Sequence, residues 1–168
     1  MAERRSGCPL SLSLDLLGDR WSLLVVRDVM FAGKRGFREF LRSEEGIAPN
    51  ILSDRLRRLV AAGMLTRHDD PDHRQKGVFR LTEAAIDLVP VLVQLGAWGT
   101  RHFPADPVLT VPSRVLGAGG PATVTRFQDE LRAEHLGAPP PAGPSVHASL
   151  ERAVTEAAAT AERTASRS

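Results

Sequence analysis

The sequence predicts a mainly helical fold carrying one small β-hairpin, and three of its features predict it. Apolar residues recur three and four apart around residues 20–31, 37–41, 52–60 and 86–98, the spacing that lines up one face of an α-helix. Residues 64–68 and 78–81 alternate instead, on either side of the turn-rich run Asp69-Asp70-Pro71-Asp72-His73-Arg74-Gln75-Lys76-Gly77, which reads as two half-buried strands and their connection. Gly18, Gly46 and Gly63 each stand where a helical pattern stops.

With 168 residues, 42% of them hydrophobic, the chain is long enough for one core plus an appendage. Charge is unevenly spread: residues 1–104 hold 16 Lys/Arg against 13 Asp/Glu, whereas residues 105–168 hold 6 against 7. An anionic partner is therefore expected on the first part. Cys8 is the sole cysteine, which excludes an intramolecular disulfide, and no apolar run is long enough to span a bilayer. The polar start, followed by the broken Leu-Ser-Leu-Ser-Leu-Asp, lacks the apolar stretch of a signal peptide. A reducing cytosol is the expected address, without membrane attachment.

Taken in order, residues 8–18 fit two patterns. Leu10, Leu12, Leu14 and Leu16 alternate as in a strand, while Leu10, Leu14 and Leu17 share a helix face. Pro9 suits a first helical position, with Cys8 at the cap and Gly18 at the end, which favours helix. Asp19 reads as the N-cap of a second helix over 20–31, with Trp21, Leu24, Val25 and Val29 as a buried stripe and 32–36 as its stop. Residues 37–63 read as two short helices joined by a tight turn: Phe37, Phe40 and Leu41 mark the first, Gly46 breaks it, and Pro49 opens the second. That is the outline of a helix-turn-helix. On the second of these helices Leu52, Leu56, Leu59 and Val60 gather in one quadrant, with Asn50, Ser53, Asp54 and Arg57 on the far side.

The hairpin that follows forms a wing. Thr82 suits the cap of a final long helix, whose Ile86, Leu88, Val89, Val91, Leu92, Leu95 and Trp98 exceed what one small domain buries, and Pro90 should kink or divide it. Residues 105–120 read as Pro/Gly-punctuated loop and 122–136 as a modest amphipathic helix through Val124, Phe127, Leu131 and Leu136. Residues 137–168 read as a Pro/Ala-rich tail, disordered or only marginally helical. The expected organisation is thus a flexible 1–7, a winged helix-turn-helix and dimerisation domain over 8–104, an extension over 105–136, and the tail.

Once this order is in place, the residues themselves resemble the HxlR family, a MarR-like group of winged helix-turn-helix regulators. The resemblance runs over residues 8–103 and is carried by Cys8-Pro9, Arg20-Trp21-Ser22-Leu23-Leu24, Gly33-Lys34-Arg35-Gly36-Phe37-Arg38-Glu39-Phe40, Asn50-Ile51-Leu52-Ser53-Asp54-Arg55-Leu56, Leu59 with Ala62-Gly63, Arg80-Leu81-Thr82-Glu83, Val89-Pro90-Val91-Leu92 and Trp98-Gly99. It implies a homodimer whose terminal helices pair and whose recognition helices enter successive major grooves, and it resolves residues 8–18 as helix. Ala84-Ala85 departs from the family's usual glycine shortly after the Leu-Thr pair, and residues 105–168 have no counterpart in its short members.

An α-helix fits the major groove of B-DNA, where short polar side chains near its N-terminus let the backbone approach base edges. Pro49, Asn50, Ser53 and Arg57 are the expected recognition residues, with Arg57 suited to guanine and Asn50 to adenine. Asp54 is expected to orient Arg57 or Arg58, and Arg55 to form an intramolecular ion pair. His73, Arg74 and Lys76 on the wing, and Lys34, Arg35 and Arg38 before and within the first helix of the motif, are the expected backbone and minor-groove contacts. Leu88, Val91, Leu95 and Trp98 are expected in the dimer interface. Cys8, ahead of a helix N-terminus where the dipole favours a reactive sulfur, matches a position through which some family members sense oxidants.

The resulting expectation is a sequence-specific regulator, a repressor, that binds a pseudo-palindromic duplex DNA as a homodimer; a small-molecule effector or an oxidant is left open as a further partner, with Cys8 either a sensing thiol or a plain structural one. The rival is a winged-helix protein-interaction module without DNA binding. No enzyme is expected, because the chain lacks a phosphate-binding Gly-Lys-Ser/Thr loop, a His-Glu-x-x-His helix and a Gly-x-Ser-x-Gly elbow. No cofactor or metal is expected either: His68, Asp69, Asp72 and His73 crowd one hairpin loop without a defined ligand geometry.

Overall fold

A computed structural model describes residues 7–70 and 73–166, with the backbone alone for 69, 70 and 73–76. The chain forms two compact units, one up to Ala85 and one from Ile86 onward.

In the first unit, α1 (Pro9–Leu17) begins with Pro9 in its first turn and Cys8 at the cap position. It buries none of its residues, and Leu10, Leu12 and Leu14 face solvent. Helix α2 (Ser22–Ala32) follows a turn closed by Asp19, whose Oδ1 accepts the backbone N–H groups of Trp21 (2.8 Å) and Ser22 (3.0 Å). The N-cap position expected at Asp19 falls instead on Trp21, because the helix begins two residues later than the sequence pattern suggests. Val25, Val26, Val29 and Met30 supply the buried face of α2, while Trp21 and Leu24, expected in that stripe, stay half-buried.

Helices α3 (Phe37–Leu41) and α4 (Pro49–Ala61) make the helix-turn-helix, with Gly46 at φ 66° in the turn. Phe40 from α3 and Leu52, Leu56 and Leu59 from α4 enter the core beside the α2 valines. The end of α4 requires Gly63: its φ of 72° lets its N–H bond Val60 O (3.0 Å) while Met64 N–H bonds Leu59 O (2.9 Å), closing the last turn.

Strands β1 (Leu65–Asp70) and β2 (His73–Leu81) pair antiparallel from Leu65↔Leu81 to His68↔Val78. Both run longer than the 64–68 and 78–81 read from the sequence. A third segment joins them, because Gly36 bridges Val78 and Phe79 N–H bonds Arg35 O (2.9 Å). Thr82 fastens the base of the hairpin: its Oγ1 donates toward Gly63 O (2.6 Å) and Met64 O (3.1 Å), and its N–H bonds Met64 O (3.1 Å).

The expected long final helix is divided into a short α5 (Glu83–Ile86) and α6 (Val89–His102), with Pro90 in the first turn of α6, where a missing N–H costs nothing. The second unit packs α6, α7 (Val111–Leu136) and α8 (Val146–Ala165) around Val89, Val93, Val111, Leu116, Phe127, Leu131, Val146 and Leu150. Two expectations are corrected here. Residues 111–119, expected as loop, are helical, because their small residues permit a close helix approach: a Cβ on Gly96 would lie 3.0 Å from the Ser113 Cβ. Residues 146–165, expected to be disordered or only marginally helical, form the 20-residue helix α8, since an Ala-rich segment has high helix propensity and Val146 and Leu150 find a packing face on α7. Helix α7 is two helical pieces meeting at Gly120 (φ 68°, ψ −170°), just before Pro121. Helix α6 packs on α7, with Val89 and Val93 buried, while Val91, Leu95 and Trp98 stay exposed.

Glu130 anchors the start of α8: its carboxylate accepts the N–H groups of Val146 (2.7 Å) and His147 (2.8 Å) and the Ser145 hydroxyl (3.1 Å). Among the described residues no helix is long and apolar enough to cross a membrane.

Candidate nucleic-acid interface

The outer face of α4 is built by subtraction. With Leu52, Leu56 and Leu59 buried, helical periodicity turns Asn50, Ser53 and Arg57 to the opposite side, and Pro49 and all three are exposed. Ala48 at the N-cap has no side-chain acceptor to offer, so the first turn of α4 is uncapped by any side chain. Its unpaired N–H groups and positive dipole end are the features that receive phosphate oxygens.

Arg57 reaches outward with 77% of its side chain accessible, held by an i,i+3 pair to Asp54. Of the two arginines expected beside Asp54, the structure selects Arg57 as its i,i+3 partner; Arg58 is exposed and forms no ion pair among the described residues. Arg55 turns the other way, with Nη1 3.2 Å from Asp19 Oδ2 and Nη2 3.4 Å from Asp54 Oδ2. Burial works against ionisation of Asp19, yet hydrogen bonds from Ser22 and the Trp21 backbone, with the Arg55 charge, hold its carboxyl below the ordinary carboxylate range.

Around α3 the basic residues separate into two roles. Lys34, expected as a phosphate contact, points inward: its Nζ lies 2.8 Å from Asp28 Oδ2 and also donates to Ser43. Asp28 is only 5% exposed, so its charge needs compensation on the spot. It has Arg27 Nη2 at 2.7 Å as well as Lys34 and the Ser43 hydroxyl, and these hydrogen bonds overcome the burial that disfavours its charge and hold its carboxyl below the usual range. No local pattern in the sequence announced this hub, because its partners are brought together by the fold. Arg38 is exposed, on the helix whose start Glu39 organises by accepting the N–H groups of Arg35 (2.6 Å) and Gly36 (2.8 Å). Those two backbone bonds also hold the Glu39 carboxyl below its ordinary range.

The backbones of His73, Arg74 and Lys76 lie in β2; their side chains fall outside the described residues. On α6, Val91, Leu95 and Trp98 form an exposed apolar stripe while Leu88 is half-buried. Trp98 is 47% exposed and packs its ring beside His102 and Phe103, at centroid distances of 4.9 and 5.5 Å. Cys8 is exposed at the cap position of α1, and its side chain makes no capping hydrogen bond. Ile51, off the leucine quadrant of α4, is also exposed.

Comparison with known proteins agrees with this architecture. The model of the HxlR-like helix-turn-helix family matches residues 16–107. Rv3095 of Mycobacterium tuberculosis, an uncharacterized HTH-type transcriptional regulator, is 36% identical over 104 residues, covering 62% of this chain and 65% of that protein, just under two thirds of its length. YybR of Bacillus subtilis, likewise an uncharacterized HTH-type transcriptional regulator, is 33% identical over 98 residues, 58% of this chain and 78% of its own. Among solved structures, the candidate transcription factor PA1607 aligns with a TM-score of 0.56 at 38% identity, over 62% of this chain and 72% of that one. The redox regulator HypR in its oxidized form gives 0.51 at 30%, over 58% and 100%. With more than half of its length matched, and with the helix order and wing that the match requires, this chain belongs to the HxlR-like helix-turn-helix family.

Proposed function

We propose that this protein is a sequence-specific DNA-binding transcriptional regulator, a repressor, that grips a pseudo-palindromic operator as a homodimer. The observation that carries the reading is the outer face of α4, where Asn50, Ser53 and Arg57 are exposed opposite a buried leucine stripe, with Arg57 aimed by Asp54. Such a helix fits a major groove, and each good bidentate pair adds about 1–3 kcal/mol of discrimination between bases. Arg38 and the uncapped first turn of α4 supply backbone contacts, and the wing residues His73, Arg74 and Lys76 extend them along the duplex. The apolar stripe Val91, Leu95 and Trp98 on α6, and the uncovered leucines of α1, are the surfaces that a second copy would cover. Two-fold symmetry then places the half-sites about one helical turn, ~10 bp, apart.

Selection of bound fragments from the source genome, followed by gel retardation and sedimentation, tests this. The expected outcome is a dimer on an inverted repeat. A chain that retards no duplex at low salt is instead an interaction module that kept the fold.

A second reading concerns the signal. Cys8 is an exposed thiol at a helix cap, and the similar HypR is a redox regulator. Cys8 would then sense an oxidant or electrophile through an intermolecular or small-thiol disulfide. A thiol-reactive compound should shift operator affinity in the wild type and leave Cys8→Ser unaffected; an equal response in both removes this reading.

A further inference from the structure

The DNA-binding reading uses the polar residues of α4 and leaves one apolar residue without a task. Ile51 is 37% exposed, although its neighbour Leu52 and the stripe of Leu56 and Leu59 are buried. At about 100° per residue it stands a quarter-turn from Leu52, on the flank opposite Ser53. It lies outside the buried stripe, and a β-branched side chain lowers helix propensity, so neither the core nor the helix calls for an isoleucine here. What distinguishes the position is its place: Ile51 follows Asn50 directly in the first turn of α4, with Ser53 two residues on.

Isoleucine has no hydrogen-bonding group, so it cannot read the donors and acceptors of a base edge. The major groove presents one apolar group, the C5-methyl of thymine. We propose that Ile51 is a specificity-determining residue that reads thymine by packing against this methyl group. The inference rests on the DNA-binding reading above and adds to it a base that Asn50 and Arg57 do not select. Asn50 and Arg57 fix hydrogen-bonding bases, and Ile51, a quarter-turn from Asn50 at the edge of that face, fixes a thymine beside them while disfavouring cytosine, whose edge carries an amino group and no methyl.

The test uses fragments recovered by the genomic selection. In each half-site, thymines are replaced one at a time by deoxyuridine, which removes the methyl group and leaves every hydrogen-bonding group in place. At one thymine per half-site the replacement should weaken wild-type binding about fourfold, the factor that ~0.8 kcal/mol for one buried methyl-sized group gives. Ile51→Ala should bind thymine and uracil fragments equally, and Ile51→Val should keep part of the difference. Arg57→Ala should bind more weakly overall yet preserve the thymine-to-uracil ratio. Wild-type indifference to every deoxyuridine replacement, with binding otherwise tight, overturns the role of Ile51 alone, as does an undiminished ratio in Ile51→Ala. Failure of the wild type to bind any duplex overturns the DNA-binding reading and this one with it.

Discussion

Asp19 Oδ2 lies 3.2 Å from Arg55 Nη1, so the carboxylate that closes the turn before α2 also holds the middle of α4. Removing it should cost two things at once. Asp19→Ala should lower stability by about 1–2 kcal/mol through the lost backbone hydrogen bonds, plus a smaller amount for the part-exposed ion pair. Asp19→Asn keeps an acceptor for those N–H groups and loses only the charge, so it should cost less than about 1 kcal/mol. Urea unfolding midpoints of the two variants separate these contributions; equal midpoints would show that the turn bonds carry nothing.

Acid should weaken the first unit in a defined direction. Asp19, Asp28 and Glu39 all have folded carboxyl groups held below their ordinary values of 3.8 for Asp and 4.5 for Glu. A depressed folded value means that the stabilisation is fully present above the ordinary value and is lost as pH falls through the folded one. Unfolding midpoints should therefore drop as pH is lowered below ~4.5. Asp28→Asn should cost about 2 kcal/mol near neutrality, the scale of hydrogen bonds to a charged group, and should flatten the acid limb.

Lys34 and Arg38 should part company. Because Lys34 is committed to Asp28 and Ser43, Lys34→Ala should lower thermal stability and leave the salt dependence of operator binding unchanged. Arg38→Ala should leave stability alone and reduce the slope of log affinity against log salt by about 1. Titrations at several salt concentrations decide the matter, and a slope change in Lys34→Ala would return that residue to the interface.

Trp98→Ala should weaken self-association. A half-exposed indole flanked by Val91 and Leu95 is the sort of anchor whose truncation costs about 2 kcal/mol in an interface. Sedimentation equilibrium should show the dimer dissociation constant rising by about thirtyfold, the equivalent of that energy. An unchanged dimer would place the interface elsewhere.

Ending the chain after Gly137 should not be silent. It removes Val146 and Leu150, both buried, and strips Glu130 of the N–H groups it accepts. About 3 kcal/mol of burial is lost at ~1.5 kcal/mol per aliphatic side chain, and hydrogen exchange around Phe127 and Leu131 should accelerate. Unaltered exchange there would mean that α8 contributes no packing.

What the sequence disclosed, and what it hid, follows from the range of the forces involved. The leucine stripe of α4 and the stop at Gly63 depend on residues within two turns of one another, and both were legible as patterns. Lys34 looked like a solvent-facing cation because its partner Asp28 lies on the previous helix and Ser43 beyond the next. The bridge contributed by Arg35 and Gly36 was invisible for the same reason, since its partners Val78 and Phe79 are some forty residues on. Residues 111–119 misled in another way: glycine and alanine read as loop until Gly96 and Ser113 are seen to need that smallness for helices to touch. Of the expected DNA-facing residues, the periodic ones on α4 could be placed from the sequence. Ile51 falls in neither the leucine quadrant nor the polar face, so periodicity alone gave it no place.

The bonds from Thr82 to the carbonyls of Gly63 and Met64 have a mechanical consequence. They weld the root of the hairpin to the last turn of α4, making helix and ribbon a single lever. Insertions at the ribbon's tip should alter how far it stretches along a duplex, whereas loosening the weld at Thr82 should let the ribbon swing and blur the span of bases the two arms cover together.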